Sequence, residues 1–165
     1  MTAISGLLAN GEYDRLYEYI RSMGEFRDKF NLVSSGSIVS DAILNQYKEL
    51  CDRDDITFEI AGKFPEKFNM ADTDLCMMFS NLMSNAYEAA LQCETGGRSI
   101  RTEIRNNEEN VFLKMINSVK GEVVFKNSIP VTDKKDRDNH GFGTESILDV
   151  IKRNDGYIEW KQPDK

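Results

Sequence analysis

Cysteine and histidine are scarce in this sequence, and their scarcity excludes several kinds of site. The three cysteines, Cys51, Cys76 and Cys93, are odd in number and form no CxxC pair. This argues against a disulfide framework or a zinc site and fits a reducing compartment. We expect all three to be small buried hydrophobic residues. His140 is the only histidine, and the sequence offers no Ser/His/Asp arrangement and no His/Cys metal cluster.

Long hydrophobic runs and an excess of basic residues are also missing. No apolar run approaches the roughly 18 residues of a membrane-spanning helix, and the first residues do not follow a signal-peptide pattern. The 28 acidic residues outnumber the 21 basic ones, which gives a formal net charge of −7 at pH 7. Such a chain repels a long polyanion, so we exclude nucleic acid as a partner. A compact phosphate ligand can still be held by local donors and a magnesium ion.

The residues that are present predict one α+β domain with a small helical appendage. Apolar residues at helical spacing indicate helices, and alternating segments bounded by turns indicate strands. The predicted helices cover about residues 1–9, 12–30, 38–52, 73–92 and 143–153. The predicted strands cover residues 56–60, 99–106, 111–117, 123–125 and 157–160. This order of elements predicts one mixed sheet covered by helices on one face.

The helix over residues 73–92 carries the first candidate site. Asn81, Asn85 and Glu88 are spaced so that they stack on one polar face, followed by Gln92. Amide and carboxylate oxygens are hard ligands that suit magnesium. On the pattern alone, a plain solvated face is the alternative. The predicted apolar face of this helix consists of Leu75, Phe79, Leu82, Ala86, Ala89 and Ala90.

A glycine pair at the start of the last helix is the second candidate site. The segment His140-Gly-Phe-Gly-Thr144 opens that helix after a charged loop. Glycines at a helix start let backbone N–H groups approach phosphate oxygens, and the helix dipole favours the anion. The loop contributes donors that could reach a phosphate tail: Thr132, Lys134, Lys135 and Arg137. The alternatives are a tight turn after a solvated loop and, for His140, a structural role at the loop end.

The order and spacing of these segments resemble the GHKL ATPases, a superfamily that includes DNA gyrase and the histidine kinases. Residues 74–90 resemble its N box, and residues 140–147 resemble its second glycine box. Residues 155–158 are similar to the strand that follows in that family. More closely, residues 131–143 resemble the TxKKD…HGxG lid of quorum-sensing and peptide-sensing receptor kinases of the Agr type.

The resemblance implies a Bergerat-type α/β sandwich that binds ATP with Mg²⁺. In that fold Asn85 would coordinate the magnesium ion, and Asn81 and Glu88 would occupy the catalytic positions. Asn81 stands where hydrolysing members carry a glutamate, and an amide cannot take a proton from water. The resemblance therefore favours the kinase branch over rapid hydrolysis. The phosphates would be held by residues of the lid and the glycine box: Lys134, Lys135, His140, Gly141, Gly143 and Thr144.

Two features depart from the family pattern. Most members have DxGxG where this chain has Met115-Ile-Asn117, so Asn117 would read the adenine amino group without a charge. Residues 1–36 resemble a shortened dimerisation hairpin without its acceptor histidine, ahead of a catalytic domain at 37–165. We therefore expect the acceptor before Met1, no autophosphorylation by this chain alone, and the family's last strand to be missing after Gln162.

The resemblance thus implies the ATP–Mg²⁺-binding catalytic domain of a two-component sensor histidine kinase. We expect it to act with ATP, a second copy in the intact dimer and a response regulator, on the cytoplasmic side of a membrane-anchored sensor. This part of the protein is not expected to contact the membrane itself.

Two alternatives stay open. The missing DxGxG favours an interaction module with a degenerate ATP site, responsive to nucleotide or independent of it. The other is a GHKL ATPase that clamps a partner, which Asn81 disfavours.

Overall fold

The computed structural model describes residues 6–7, 10–16, 18–19, 33–65, 68–107, 110–131 and 142–162. The chain divides into two compact units, Met1–Val33 and Ser34–Lys165. In the first unit, residues 6–7, 13–16 and 18–19 are helical and flank a turn at Asn10 and Gly11. The assignment of this region to a dimerisation hairpin stays a prediction.

The second unit contains helices and a mixed sheet, which confirms the predicted α+β class and is consistent with a Bergerat fold. Its helices are α1 (Ile38–Arg53), α2 (Asp72–Leu91) and α3 (Phe142–Arg153). Its strands are β1 (Thr57–Ala61), β2 (Ser99–Asn106), β3 (Val111–Asn117), β4 (Phe125–Lys126) and β5 (Ile129–Pro130). The first three strands form one sheet in the order β1-β2-β3, and β4 pairs with β5 separately.

The three-stranded sheet has one covered face and one exposed face. Strand β1 runs parallel to β2, and β2 runs antiparallel to β3. Because parallel strands need a crossover connection, α2 lies between β1 and β2 in the chain. Ile100, Thr102 and Ile104 of β2 are buried, while the residues between them are exposed or half-buried. This period-two burial places every second residue of β2 against the helical layer.

Gly62, directly after β1, allows that strand to approach β2 closely. Its φ is +85°, a conformation that side chains other than glycine rarely adopt. A Cβ atom on Gly62 would lie only 1.8 Å from the carbonyl oxygen of Ile104. The end of β1 therefore has room for a backbone but not for a side chain.

Helix α2 is the central element of this unit, since it contacts α1, α3, β2 and β3. Its buried residues are Leu75, Met78, Phe79, Met83, Ala86 and Ala90. The predicted apolar face omitted Met78 and Met83 and included Leu82 and Ala89, which are only half-buried. The predicted apolar face was too narrow, because other elements pack on more than one side of this helix.

Two strand predictions were wrong. Residues 157–160 show alternating exposure, with Ile158 and Trp160 half-buried, but form no strand ladder in the described part of the chain. The side-chain amide of Gln162 instead accepts from the backbone N–H of Val123 (2.7 Å) and donates to the carbonyl of Gly121 (2.9 Å). The strand predicted at 123–125 lies at Phe125–Lys126 and pairs with β5.

The cysteines differ from one another in exposure. Cys51 is fully buried in the last turn of α1, and burial raises the pKa of its thiol to about 11. Cys93 is half-buried, and Cys76 is exposed, so the expectation of burial was wrong for Cys76. None of the helices in the described ranges is both long and apolar enough to cross a membrane.

Candidate functional site

The predicted polar residues of α2 lie along one side of that helix. Asn81 and Glu88 are half-buried, whereas Asn85 is exposed. The first turn of α2 carries the acids Asp72 and Asp74, which complement the positive end of the helix dipole where no side chain caps the helix. Because residues three or four apart are neighbours on a helix surface, Asn85 lies one turn after Asn81, and Glu88 continues the same row.

Asn81 is held in one orientation and touches the glycine motif of α3. Its Nδ2 donates to the carbonyl of Met77, one turn back, at 2.8 Å. A Cβ atom built on Gly143 would lie 3.1 Å from Asn81 Oδ1 and 3.7 Å from its Cγ. The backbone at the start of α3 is thus seated directly on the Asn81 side chain. The structure thereby brings together two motifs that are far apart in the sequence, with Thr144 next in the chain and half-buried.

Asn85 and Glu88 differ in what they already bind. Among the described residues, the carboxamide of Asn85 makes no hydrogen bond, so its oxygen is available to a ligand. Glu88 accepts a hydrogen bond from the Ser84 hydroxyl at 2.9 Å, which orients its carboxylate along the helix. The described residues contain no group of three or more His, Cys, Asp or Glu side chains able to hold a metal. Magnesium bound by one or two protein oxygens plus phosphates fits this donor set better than an all-protein cage.

Asn117 lies at the end of β3 on the sheet face that the helices cover. It stands opposite Ile100 of β2 in the ladder and is half-buried. Its Nδ2 donates to the carbonyl of Ser118 at 3.0 Å, which leaves its Oδ1 as an acceptor. The same face holds Thr102, whose buried hydroxyl has no hydrogen-bond partner in the described structure. Nothing in the sequence distinguished Thr102 from an ordinary strand residue.

The remaining predicted site residues cannot be placed. Lys134, Lys135, His140 and Gly141 lie outside the described residues. An open groove of about 660 Å³ follows the seam between α2 and α3 without including any predicted site residue. Its lining consists of Met77, Ser146, Asp149, Lys152 and Arg153.

Sequence reasoning missed a second junction between α2 and α3. Asp74, in the first turn of α2, accepts from Arg153 Nη2 at 3.0 Å and from Asn154 Nδ2 at 2.9 Å. These partners are almost eighty positions away, and no local pattern pairs them. Asp74 was part of the N-box resemblance, but no role followed from that likeness.

Comparison with known proteins agrees with this arrangement of motifs. A family model described as a GHKL domain matches residues 70–165, which is more than half of the chain. The matched range includes α2, the β2–β3 hairpin and the glycine start of α3. No curated protein matches the sequence.

Proposed function

Because this chain belongs to the GHKL domain family, we propose that it binds ATP with Mg²⁺ as the catalytic domain of a sensor histidine kinase. GHKL domains bind ATP with magnesium, and histidine kinases are among the proteins that contain them. The observation that carries the proposal is the seating of Gly143 on Asn81, since it joins the polar row of α2 to a glycine-rich helix start. A helix N-terminus with an amide row beside it suits a bound phosphate chain.

The described side chains take distinct roles in this proposal. Asn85 supplies a protein oxygen to Mg²⁺, and the phosphates supply others. Gly143 and Thr144 offer backbone N–H groups and a hydroxyl to the phosphates. Asn117 accepts from the adenine amino group through Oδ1, the atom that its own hydrogen bond to Ser118 leaves free. Lys134, Lys135, His140 and Gly141 complete the phosphate contacts as parts of the lid.

Asn81 supports the kinase role rather than a hydrolytic one. Its amide donates to Met77 and directs its oxygen at Gly143, so it offers no base to activate water. The terminal phosphate is then preserved for transfer to a histidine on another segment, and Glu88 polarises the groups nearby. Positioning and electrostatic stabilisation account for most of the rate in such phosphoryl transfers.

Residues 131–143 resemble the lid of receptor kinases of the Agr type, and for this reason we propose that the chain belongs to such a kinase. In the intact protein it acts as a dimer on the cytoplasmic side of a membrane-anchored sensor and serves a response regulator. The acceptor is not His140, because that residue adjoins the glycine motif that holds the phosphates.

Calorimetry with ATP or a non-hydrolysable analogue tests the proposed site. Binding is expected in the presence of Mg²⁺ and is expected to be lost with EDTA. Asn85→Ala should weaken Mg²⁺-dependent binding about tenfold, because it removes the protein ligand to the metal. Asn110→Ala, an exposed asparagine in the β2–β3 turn, is the matched control and should bind like the wild type.

Equal binding with and without Mg²⁺, or an Asn85→Ala variant as tight as the wild type, would refute the metal assignment. Radiolabelled ATP separates the kinase role from simple binding. This chain alone should acquire no acid-labile label, and a longer chain with a complete first helix should be labelled. Absence of label on the longer chain, despite measured binding, would favour the interaction module.

A further inference from the structure

Both oxygens of the Asp74 carboxylate bind the far end of α3. Oδ1 accepts from Arg153 Nη2 at 3.0 Å, and Oδ2 accepts from Asn154 Nδ2 at 2.9 Å. The same Asn154 amide reaches the carbonyl of Val150 at 2.9 Å, so it also closes the end of its own helix. The side chain of Asp74 is only 14% exposed, so its carboxylate is largely shielded from solvent, although the Arg153 side chain is 56% exposed.

The opposite end of α3 is fixed by the contact between Gly143 and Asn81. Helix α3 therefore runs antiparallel to α2 and is held at both of its own ends, with buried Ile147 and Val150 between the two junctions. Asp74 and Asn81 are seven residues apart, or about 10 Å along α2. One contact alone would let α3 pivot or slide, whereas two contacts define its register on α2.

We infer that Asp74 is a positioning residue for the nucleotide site. It sets the register of α3 on α2, and thereby the placement of Gly143 and Thr144 relative to Asn81. This inference rests on the proposed nucleotide function, but Asp74 itself does not touch the nucleotide.

The tolerance of the Gly143 contact makes the register matter. A Cβ atom on Gly143 would lie 3.1 Å from Asn81 Oδ1, so even the smallest side chain there would force its neighbour to move by a few tenths of an ångström. The Asn81 side chain cannot turn aside without breaking its hydrogen bond to Met77. A small slide of α3 thus changes where its first N–H groups point, and the geometry of a phosphate contact depends on that direction.

Asp72 provides a matched control for Asp74. Both acids lie in the first turn of α2, so replacing either one removes the same favourable charge from the helix N-terminus. Asp72 is exposed and makes no hydrogen bond or ion pair with α3 among the described residues. A difference between Asp74→Ala and Asp72→Ala therefore reports on the link to α3 alone.

The experiment combines nucleotide affinity, unfolding and NMR. Asp74→Ala should weaken Mg²⁺–ATP binding about fivefold to tenfold, within the range of remote coupling, while Asp72→Ala stays within about twofold. Arg153→Ala removes one of the two partners of the Asp74 carboxylate and should weaken binding in the same direction but by less, because the bond from Asn154 stays. In ¹⁵N spectra, the Gly143 amide and the Asn81 side-chain amide should shift in Asp74→Ala and not in Asp72→Ala.

A purely structural role would give a different result. Asp74→Ala would then lower the unfolding free energy but leave the affinity and the Gly143 resonance unchanged, and the inference would be wrong. An Arg153→Ala variant that weakens binding more than Asp74→Ala would contradict it as well. If the wild type binds no nucleotide, the proposed function fails, and the Gly143 and Asn81 resonances still decide whether Asp74 sets the register of α3.

Discussion

The two ends of α2 are each joined to a neighbouring helix, but by different kinds of bond. At the C-terminal end, Arg98 donates to three backbone carbonyls, those of Leu91 (3.2 Å), Cys93 (3.0 Å) and Asp54 (2.9 Å). At the N-terminal end, Asp74 binds α3 only through side chains. Hydrogen bonds to backbone carbonyls hold the main chain in place, whereas a pair of side chains can change rotamer while the main chain stays where it is. We expect the Arg98 end to determine stability and the Asp74 end to determine ligand affinity.

The Arg98 end also contains a charged cluster that titrates in acid. Hydrogen bonds from Arg53 and then from Tyr87 hold the pKa of Asp54 below its usual value. The Tyr87 hydroxyl donates to the Asp54 carboxylate, and this hydrogen bond raises the pKa of Tyr87. A carboxyl with a lowered pKa in the folded state contributes stability above its unfolded pKa and loses it as the pH falls through the folded value. The α1–α2 junction should therefore weaken in acid.

The largest expected effect is on stability at the Arg98 end. Arg98→Ala removes three bonds from a charged donor, and two of the three carbonyls, those of Cys93 and Asp54, are part-buried. We expect it to lower the free energy of unfolding by about 2–4 kcal/mol, because a buried carbonyl without a donor has lost its water and gained no bond in return. Urea unfolding measures this. At temperatures where the variant is folded, its Kd for Mg²⁺–ATP should stay within about twofold of the wild type.

Arg105→Ala is the control for that variant, since Arg105 is an exposed arginine on β2 that pairs with Glu103. An exposed pair of this kind contributes about 0–1 kcal/mol. If Arg98→Ala instead weakened nucleotide binding strongly while sparing stability, the division of roles between the two ends of α2 would be wrong.

A smaller effect, on affinity, is expected where α3 begins. Gly143→Ala places a Cβ atom 3.1 Å from Asn81 Oδ1, so either α3 moves away or the bond from Asn81 to Met77 breaks. We expect nucleotide binding to weaken about tenfold while the unfolding free energy changes by less than about 1 kcal/mol, because the helix propensity gained by alanine offsets part of the strain. Gly97→Ala is the matched control, because a Cβ there meets its nearest atom, the Glu94 carbonyl oxygen, at an ordinary 3.5 Å. Wild-type affinity in Gly143→Ala would show that the seating of Gly143 on Asn81 does not shape the site.

Local patterns predicted much of this fold, and the parts they missed depend on partners distant in the chain. Period-two alternation located β2 and β3, and helical spacing located α2 to within one residue at each end. The alternation of residues 157–160 is equally regular, but a strand also needs a neighbour to pair with, which no local pattern reveals. Asn81 and Gly143 were singled out by helical spacing and by a glycine pair at a helix start, and the resemblance to a family supplied their roles. The Asp74 junction was missed because side-chain pairing across the fold has no sequence period.

The smallest expected effect lies between the two ends of α2, on the sheet face that the helices cover. The Thr102 hydroxyl is buried there without a partner among the described residues, and burying such a group costs about 1–3 kcal/mol. Valine has nearly the same shape and favours strands, so Thr102→Val should raise the free energy of unfolding by about 1 kcal/mol. Thr57→Val, on the exposed side of β1, should change it by less than about 0.5 kcal/mol. Because Thr102 belongs to neither junction, nucleotide affinity should not change. Loss of stability in Thr102→Val would mean that an internal water satisfies this hydroxyl in solution, and a change in affinity would extend the site from α2 into the sheet.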